Sequence, residues 1–368
     1  MGQLFIPVIC IGVVVCGGVN SLMTKYQDNQ CVRDCQGASP VYFNQPVLQT
    51  LQMFIGEMSM LALWWFQLRG TGRQQHEFDN KPLIKGRSYV LLALPAICDI
   101  IATTLMNLAL VMIPVSIYQM VRGAIVFFVA LFSVLFLGRQ VCRLEWAYLA
   151  TIVAGVAVVG YSGQSADTVS EQSFSSSLLV GVLLILFALL FMATQFIVEE
   201  HVMSRWAVSP VGLIGHEGLF GSSITVALLV VGNYMGGYRD VNSTFNMKQA
   251  FSDMFARPAV LNSSFVIMVS IALFNFFGVS ITKNVSATSR STVDTCRTLL
   301  VWCVSLSLGW ESFKFTQLCG FALLVIGTLL FNNAIEIPDK YLPSYFLEDK
   351  SGESQRLINT IDEEVERF

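Results

Sequence analysis

The chain has 368 residues, 54% of them hydrophobic and only 13% charged, with a formal net charge of −3. Soluble domains carry about one quarter charged residues, so this composition excludes an ordinary soluble enzyme and describes a polytopic membrane protein. With no basic excess to neutralise phosphates, it also argues against nucleic acid as a partner.

Ten apolar stretches follow in chain order, at roughly 4–23, 47–68, 89–111, 114–137, 146–162, 177–198, 210–232, 259–281, 286–308 and 315–335. Each is near the length of about 20 residues that crosses a hydrocarbon core of about 30 Å. Met1-Gly2-Gln3 leads into the first without a basic n-region or cleavage pattern, so it reads as a retained span. The third and fourth, and the eighth and ninth, are joined by very short connections and read as tight helical hairpins.

A cytosolic N-terminus places Arg69, Arg73, Lys81, Lys85 and Arg87 in one inner loop, with Arg139, Arg143, Arg205 and Lys283 in others. The outer loops hold fewer basic residues, among them Lys25, Arg33, Arg239 and Arg257, so the positive-inside rule favours this orientation. Asn242 then opens an Asn-Ser-Thr glycosylation sequon in the longest outer loop. Of nine cysteines most lie in apolar runs, whereas Cys31 and Cys35 share the first outer loop and are placed to pair in an oxidising lumen. The CxxxC they form lacks the further ligands of a zinc site, so no metal is expected. Residues 336–368 are acidic and poor in aromatics, which predicts a disordered tail.

The two halves resemble each other. Laying Asn107–Ser116 on Gly278–Ala287 places Leu137-Gly138 on Leu308-Gly309, and upstream Gly56-Glu57 corresponds to His216-Glu217. A copy of five spans, an odd number, must insert upside down relative to the first, as in secondary transporters whose site lies between the halves. The expected fold is an all-α polytopic membrane protein: ten transmembrane helices in a five-plus-five inverted repeat. Residues 1–162 form the first repeat, 177–335 the second and 336–368 a cytosolic acidic tail.

Glu57, Asp99, Arg122, Glu217, Asp294 and Arg297 are the ionisable residues deepest in these spans. Charges at that depth cost roughly 2.5–3.5 kcal/mol each on insertion scales and mark substrate paths or proton relays. Arg122 offers a planar fork for an anionic group, and Asn107, Gln119 and Asn275 add amides to the same substrate-binding or coupling set. Asp294 and Arg297, three apart on one helix, are also placed to satisfy each other. Glu199, Glu200 and His201 read as a solvated helix end, and His216 as a hydrogen-bonded structural residue. Phe127, Phe128, Phe274, Phe276 and Phe277 read as lipid-facing or packing residues, and the glycines of spans one, five, seven and ten as close-packing positions. No GxSxG, HExxH or Walker A pattern occurs, so neither an enzyme, a cofactor nor ATP-driven pumping is expected.

A set of short motifs carries a family resemblance. They are Thr24-Lys-Tyr-Gln-Asp28, Met53-Phe-Ile-Gly-Glu57, Pro95-Ala-Ile-Cys-Asp99, Tyr118-Gln-Met-Val-Arg122-Gly-Ala and Leu135-Phe-Leu-Gly-Arg139 in the first half. Glu199-Glu200, Gly215-His-Glu-Gly-Leu-Phe-Gly221, Phe274-Asn-Phe276, Ser286-Ala-Thr-Ser-Arg290, Asp294 with Arg297-Thr298, and Leu308-Gly-Trp-Glu311 follow in the second. Together they resemble the drug/metabolite transporter superfamily, within solute carrier family 35, and most closely the sixth-member type of its F branch. The resemblance implies an EamA-like carrier working by alternating access, both termini cytosolic, in a lysosomal, endosomal or, alternatively, Golgi or ER membrane. Glu353, Leu357 and Ile358 in the tail resemble an acidic dileucine sorting signal, which would bring adaptor proteins as partners.

The expected function is transport of a small polar organic solute across an intracellular membrane, with proton coupling and exchange both open. The bilayer, the solute, protons and a second copy of the chain are the candidate partners. Intramembrane acids outnumber arginines, which fits a cationic or zwitterionic solute at least as well as an anionic sugar nucleotide. The alternative is a non-transporting membrane scaffold, which has no need of intramembrane charge in both halves.

Overall fold

The computed structural model describes residues 2–36, 40–71, 82, 84, 86–113, 115–139, 142–164, 171–235, 243, 245–309 and 315–331. Pro114, Asn242, Trp310, Glu311 and the tail with Glu353, Leu357 and Ile358 lie outside them. The described chain is helical apart from a small hairpin. Helix α1 is Gly2–Asp28, followed by strands β1 (Cys31–Arg33) and β2 (Val41–Tyr42), which pair antiparallel. Then come α2 (Pro46–Met58), α3 (Met60–Thr71), a 3₁₀ turn at Gly86–Leu92, α4 (Ala93–Met112), α5 (Val115–Arg122), α6 (Ile125–Leu137) and α7 (Arg143–Gln164). The second half holds α8 (Glu171–Arg205), α9 (Pro210–Tyr234), the short α10 (Met247–Ala256), α11 (Pro258–Asn284), α12 (Ala287–Ser307) and α13 (Phe315–Phe331).

Six segments among the described residues are long and apolar enough to cross a membrane: Phe5–Asp28, Tyr89–Leu110, Ile117–Leu137, Leu178–Arg205, Pro210–Tyr234 and Pro258–Asn284. Large apolar side chains such as Ile11, Phe136, Phe187, Phe265 and Ile326 point outward from these and neighbouring helices. Such an outside belongs in lipid. The chain is a multi-pass membrane protein.

Two expected spans are interrupted. The second is broken at Ser59, where α2 gives way to α3 and the Ser59 hydroxyl donates to the Gly56 carbonyl at 2.5 Å. The fourth breaks between Arg122 and Ile125. There the amides of Gly123 and Ala124 bond three residues back, to Met120 and Val121, tightening the backbone into a 3₁₀-like turn. Both interruptions follow a charged residue, Glu57 in one case and Arg122 in the other.

Inside a bilayer, apolar burial between helices removes no surface from water, so close packing and hydrogen bonds must hold the seams. The largest helix interfaces pair α7 with α13, α4 with α8, α1 with α11, and α2 with α9. Glycine makes the closest of these possible. A Cβ on Gly155 in α7 would lie 2.7 Å from the Gly320 carbonyl of α13, so the two backbones touch. A Cβ on Gly218 in α9 would strike the Met58 backbone of α2, and one on Gly56 would strike the Met268 carbonyl of α11. Gly218→Ala should therefore cost about 1–3 kcal/mol, because backbone cannot swing aside as a side chain can. A fall in the melting temperature of the purified protein would register this, and an unchanged melting curve would contradict it.

The hairpin after α1 carries the one disulfide among the described residues, between Cys31 and Cys35. Arg33 beside it reaches α10, its Nε 3.2 Å from the Asp253 carboxylate. Alkylation of the denatured chain should gain two modified thiols when reductant is added first, and mapping them to Cys31 and Cys35 checks the pairing. Gly138 after α6 and Gly309 after α12 both stand at φ 69°, the left-handed conformation that ends a helix and that glycine alone adopts without strain.

Candidate functional site

The membrane-spanning helices enclose a cavity of about 190 Å³, lined from α1, α2, α4, α5, α8, α11 and α12. Its walls follow helical periodicity. Asp99, Ala102, Thr103, Met106, Asn107 and Leu110 form one stripe of α4, while Asn20, Ser21, Thr24, Lys25 and Asp28 form one stripe at the end of α1. The cavity thus extends toward the Asp28 end of α1, the end that continues into the disulfide-bonded hairpin.

Of the residues expected in the site, Asp99, Asn107, Gln119, Arg122, Asn275 and Arg297 line this cavity. Glu57, Glu217 and Asp294 do not; they are buried in the protein around it. Arg297 forms an ion pair with Asp294, Nε to Oδ1 at 2.8 Å, and its guanidinium lies 4.9 Å from the centre of the Phe274 ring. Phe274 is therefore a wall of the cavity and a platform for a cation, beyond the packing role expected of it. Gly17 opposite leaves the space in which the Arg297 stem and Phe274 lie against α1.

Arg122 stands at the C-terminal end of α5, where the unpaired carbonyls of a helix end favour a cation. Its Nε is buried without a partner, and its guanidinium makes neither a hydrogen bond nor an ion pair among the described residues. Asp99 accepts a single hydrogen bond, from Thr103 at 3.2 Å. Glu217 keeps a buried Oε1 with no partner. His216 beside it sits with Nδ1 2.5 Å from the Gly212 carbonyl and meets the rings of Trp64 and Tyr89 edge-on, the structural setting expected of it.

One expectation is overturned. Glu199, Glu200 and His201 are not a solvated helix end, because α8 continues to Arg205 and Glu199 is 0% exposed. Glu199 pairs with Arg290 of α12, itself 2% exposed and stacked 4.0 Å over the Phe196 ring. An ionised pair tolerates this depth because each charge answers the other. Arg290 also donates to Asn275 Oδ1 at 3.3 Å, and Asn275 Nδ2 donates to Glu57 Oε1 at 2.5 Å. A single polar chain of Glu199, Arg290, Asn275 and Glu57 thus links α8, α12, α11 and α2. Nearby, Glu200 accepts from the Ala287 amide at 2.7 Å and Arg139 donates to Thr288 at 2.8 Å. None of Glu199, Glu200, Arg139, Ala287 and Thr288 lines the cavity; their bonds tie α8, the start of α12 and the residues after α6 together beyond it.

Arg290 and Glu199 escaped the reading of chemistry-bearing residues, although a signal for each existed. Arg290, Asp294 and Arg297 are spaced i, i+4, i+7, as are Met192, Phe196 and Glu199, and each spacing marks one helix face.

A charged cavity between the helices of a multi-pass protein is what a membrane transporter requires, and comparison with known proteins points to that class. The nucleotide-sugar transporter family model matches residues 8–210. The solute carrier family 35 member F6 proteins of Pongo abelii and Homo sapiens are each 36% identical over 326 residues, covering 87% of this chain and 86% of theirs. An uncharacterized protein of Schizosaccharomyces pombe is likewise 36% identical, covering 88% of this chain and 96% of its own. A solved crystal structure with 12% sequence identity superposes with a TM-score of 0.57 over 90% of this chain and 99% of that one, and so shares the fold. The chain belongs to the nucleotide-sugar transporter family, among the solute carrier family 35 proteins.

Proposed function

We propose that the protein is a secondary carrier that moves a small polar organic solute across an intracellular membrane by alternating access. The observation that carries this reading is the cavity itself. It holds uncommitted charged groups and reaches toward one end of the bundle, while side-chain bonds tie α8, the start of α12 and the residues after α6 together beyond it. Such a form is one of the two that alternating access requires, and breaking the Glu199–Arg290 and Arg139–Thr288 contacts would begin the passage to the other.

A ten-helix, five-plus-five inverted repeat is supported by how the interfaces pair. If α1 corresponds to α8 and α4 to α11, the α1–α11 and α4–α8 seams are one interface repeated, while α2/α3 with α9, and α7 with α13, meet across the axis. Gly138 and Gly309 share the same φ at the positions where the two halves align. Of the segments outside the six apolar spans, α2/α3 is interrupted at Ser59, α12 carries Arg290, Asp294 and Arg297, and α7 and α13 run 22 and 17 residues. Cys31–Cys35 favours an oxidising compartment on the Asp28 side, which leaves the N-terminus and the acidic tail cytosolic. Glu353, Leu357 and Ile358 then favour a lysosomal or endosomal membrane, with Golgi or ER as the alternative, and Asn242 becomes a lumenal glycan acceptor.

Asp99 and Arg122, which line the cavity, are the groups we assign to substrate binding, Asp99 also to proton coupling, and Glu57 and Glu217, buried behind the wall, to proton coupling. The test is uptake of polar metabolites into proteoliposomes of the purified chain, with and without an imposed pH gradient. Accumulation of one solute, retained after truncation at residue 340, supports a carrier. No accumulation across the screen by folded protein would shift the reading to a membrane scaffold.

A further inference from the structure

We infer that the cavity takes a small zwitterion, a solute carrying one carboxylate and one ammonium group on a short skeleton. This rests on the carrier reading above and names the cargo class of the same cavity. The state of the charges in the wall carries it first. Arg290 is neutralised by Glu199 and Arg297 by Asp294, each pair buried. Arg122 is not: no carboxylate of the described residues comes within 4.0 Å of its guanidinium. Asp99 has no cation within that distance either, and its one hydrogen bond is to Thr103. Asp28, at the end of the α1 stripe, likewise has no cation of the described residues within 4.0 Å and accepts from Gln49 at 2.6 Å. The wall therefore offers one uncommitted guanidinium, Arg122 on α5, and two carboxylates without a cation, Asp99 on α4 and Asp28 on α1, all facing the same space.

A carboxylate matches the fork of a guanidinium in a bidentate pair, and an ammonium group matches a carboxylate. A zwitterion satisfies both walls at once. A solute with a single charge leaves the opposite wall group desolvated and unpaired, which is the costly arrangement in a low-dielectric site. Amides from Asn107 and Gln119 supply further hydrogen bonds, and Phe274 supplies an apolar face for the skeleton.

Size carries it second. A dry cavity of about 150 Å³ accepts benzene, so about 190 Å³ suits a solute on the order of ten non-hydrogen atoms. A nucleotide diphosphate sugar is several times larger, and its two phosphates would face a single uncommitted guanidinium.

The experiment uses the purified full-length chain and a panel of neutral amino acids, each with the amine and the carboxylic acid of the same skeleton, plus UDP-glucose. Binding is read by thermal stabilisation and transport by counterflow in proteoliposomes. The expected result is that at least one amino acid binds and exchanges, with its amine and acid weaker by on the order of tenfold or more. Asp99→Asn should narrow the gap to the acid, and Arg122→Gln the gap to the amine, so each variant shifts preference rather than merely losing binding. A singly charged analogue or UDP-glucose that binds at least as well as every amino acid, and is itself exchanged, overturns the zwitterion and leaves the carrier standing. No binding and no exchange by any probe overturns both.

Discussion

Arg122→Ala should reduce solute uptake into proteoliposomes by on the order of 10–100-fold, the worth of one or two charge-assisted hydrogen bonds to the cargo. The same variant should melt close to the unsubstituted protein, because Arg122 makes no hydrogen bond or ion pair among the described residues. That combination separates a binding role from a structural one. If Arg122→Ala instead aggregates or unfolds at markedly lower temperature, the residue supports the fold and its assignment to the cargo fails. Uptake at the ordinary rate by a well-folded variant would sink the assignment from the other side.

Arg290 should behave in the opposite way. Its guanidinium is shared between Glu199 and Asn275 and stacked on Phe196, so Arg290→Ala strands a fully buried carboxylate. Breaking such a pair costs about 3–5 kcal/mol, so the variant should be recovered in low yield with a strongly depressed melting temperature. Glu199→Gln combined with Arg290→Gln removes both charges and should be more stable than Arg290→Ala, since neither side is left as an isolated ion. A double variant no better than the single one would mean that Glu199 is answered by some other group. Gly278 sharpens the point: a Cβ there would lie 2.8 Å from Arg290 Nε, so the site is shaped around this one side chain.

The contrast between these arginines shows what could be read in the chain beforehand. Arg122, Asp99, Asn107, Gln119, Asn275 and Arg297 were legible because depth in an apolar stretch is a local property, visible in a window of some twenty residues. The pairing of Asp294 with Arg297 was legible because it is i, i+3 on one helix. Glu199 and Arg290 are 91 residues apart, and nothing local announces such a partner. The apolar run of α8 stops near Val198, and a window that stops there assigns the charges beyond it to water. The break after Arg122 was hidden for a related reason. Val121 to Ile125 is as apolar as its surroundings apart from Arg122, and only Gly123, packed against Leu324 of α13, hints that the backbone turns there. Which carboxylates face the cavity and which stand behind it is also a matter of helix rotation. A list of intramembrane charges does not contain that rotation, so Glu57 and Glu217 could not be separated from Asp99 in advance.

The pairing of early helices with late ones has a consequence for how the protein is made. Gln27 at the end of α1 hydrogen-bonds Ser264 of α11 at 2.7 Å, across 237 positions of chain. At about 5–20 residues per second, α1 waits on the order of 10–50 s for that partner to be synthesised. Through that interval Asn20 and the side-chain nitrogen of Gln27 sit in or beside the membrane without the groups that later satisfy them, and the same holds for Glu57 until Asn275 arrives. The nascent chain must therefore be sheltered by the insertion machinery until its eleventh helix is complete. Substitutions in α11 that leave the finished cavity untouched should still be felt as lost yield, through the time the first helices spend alone.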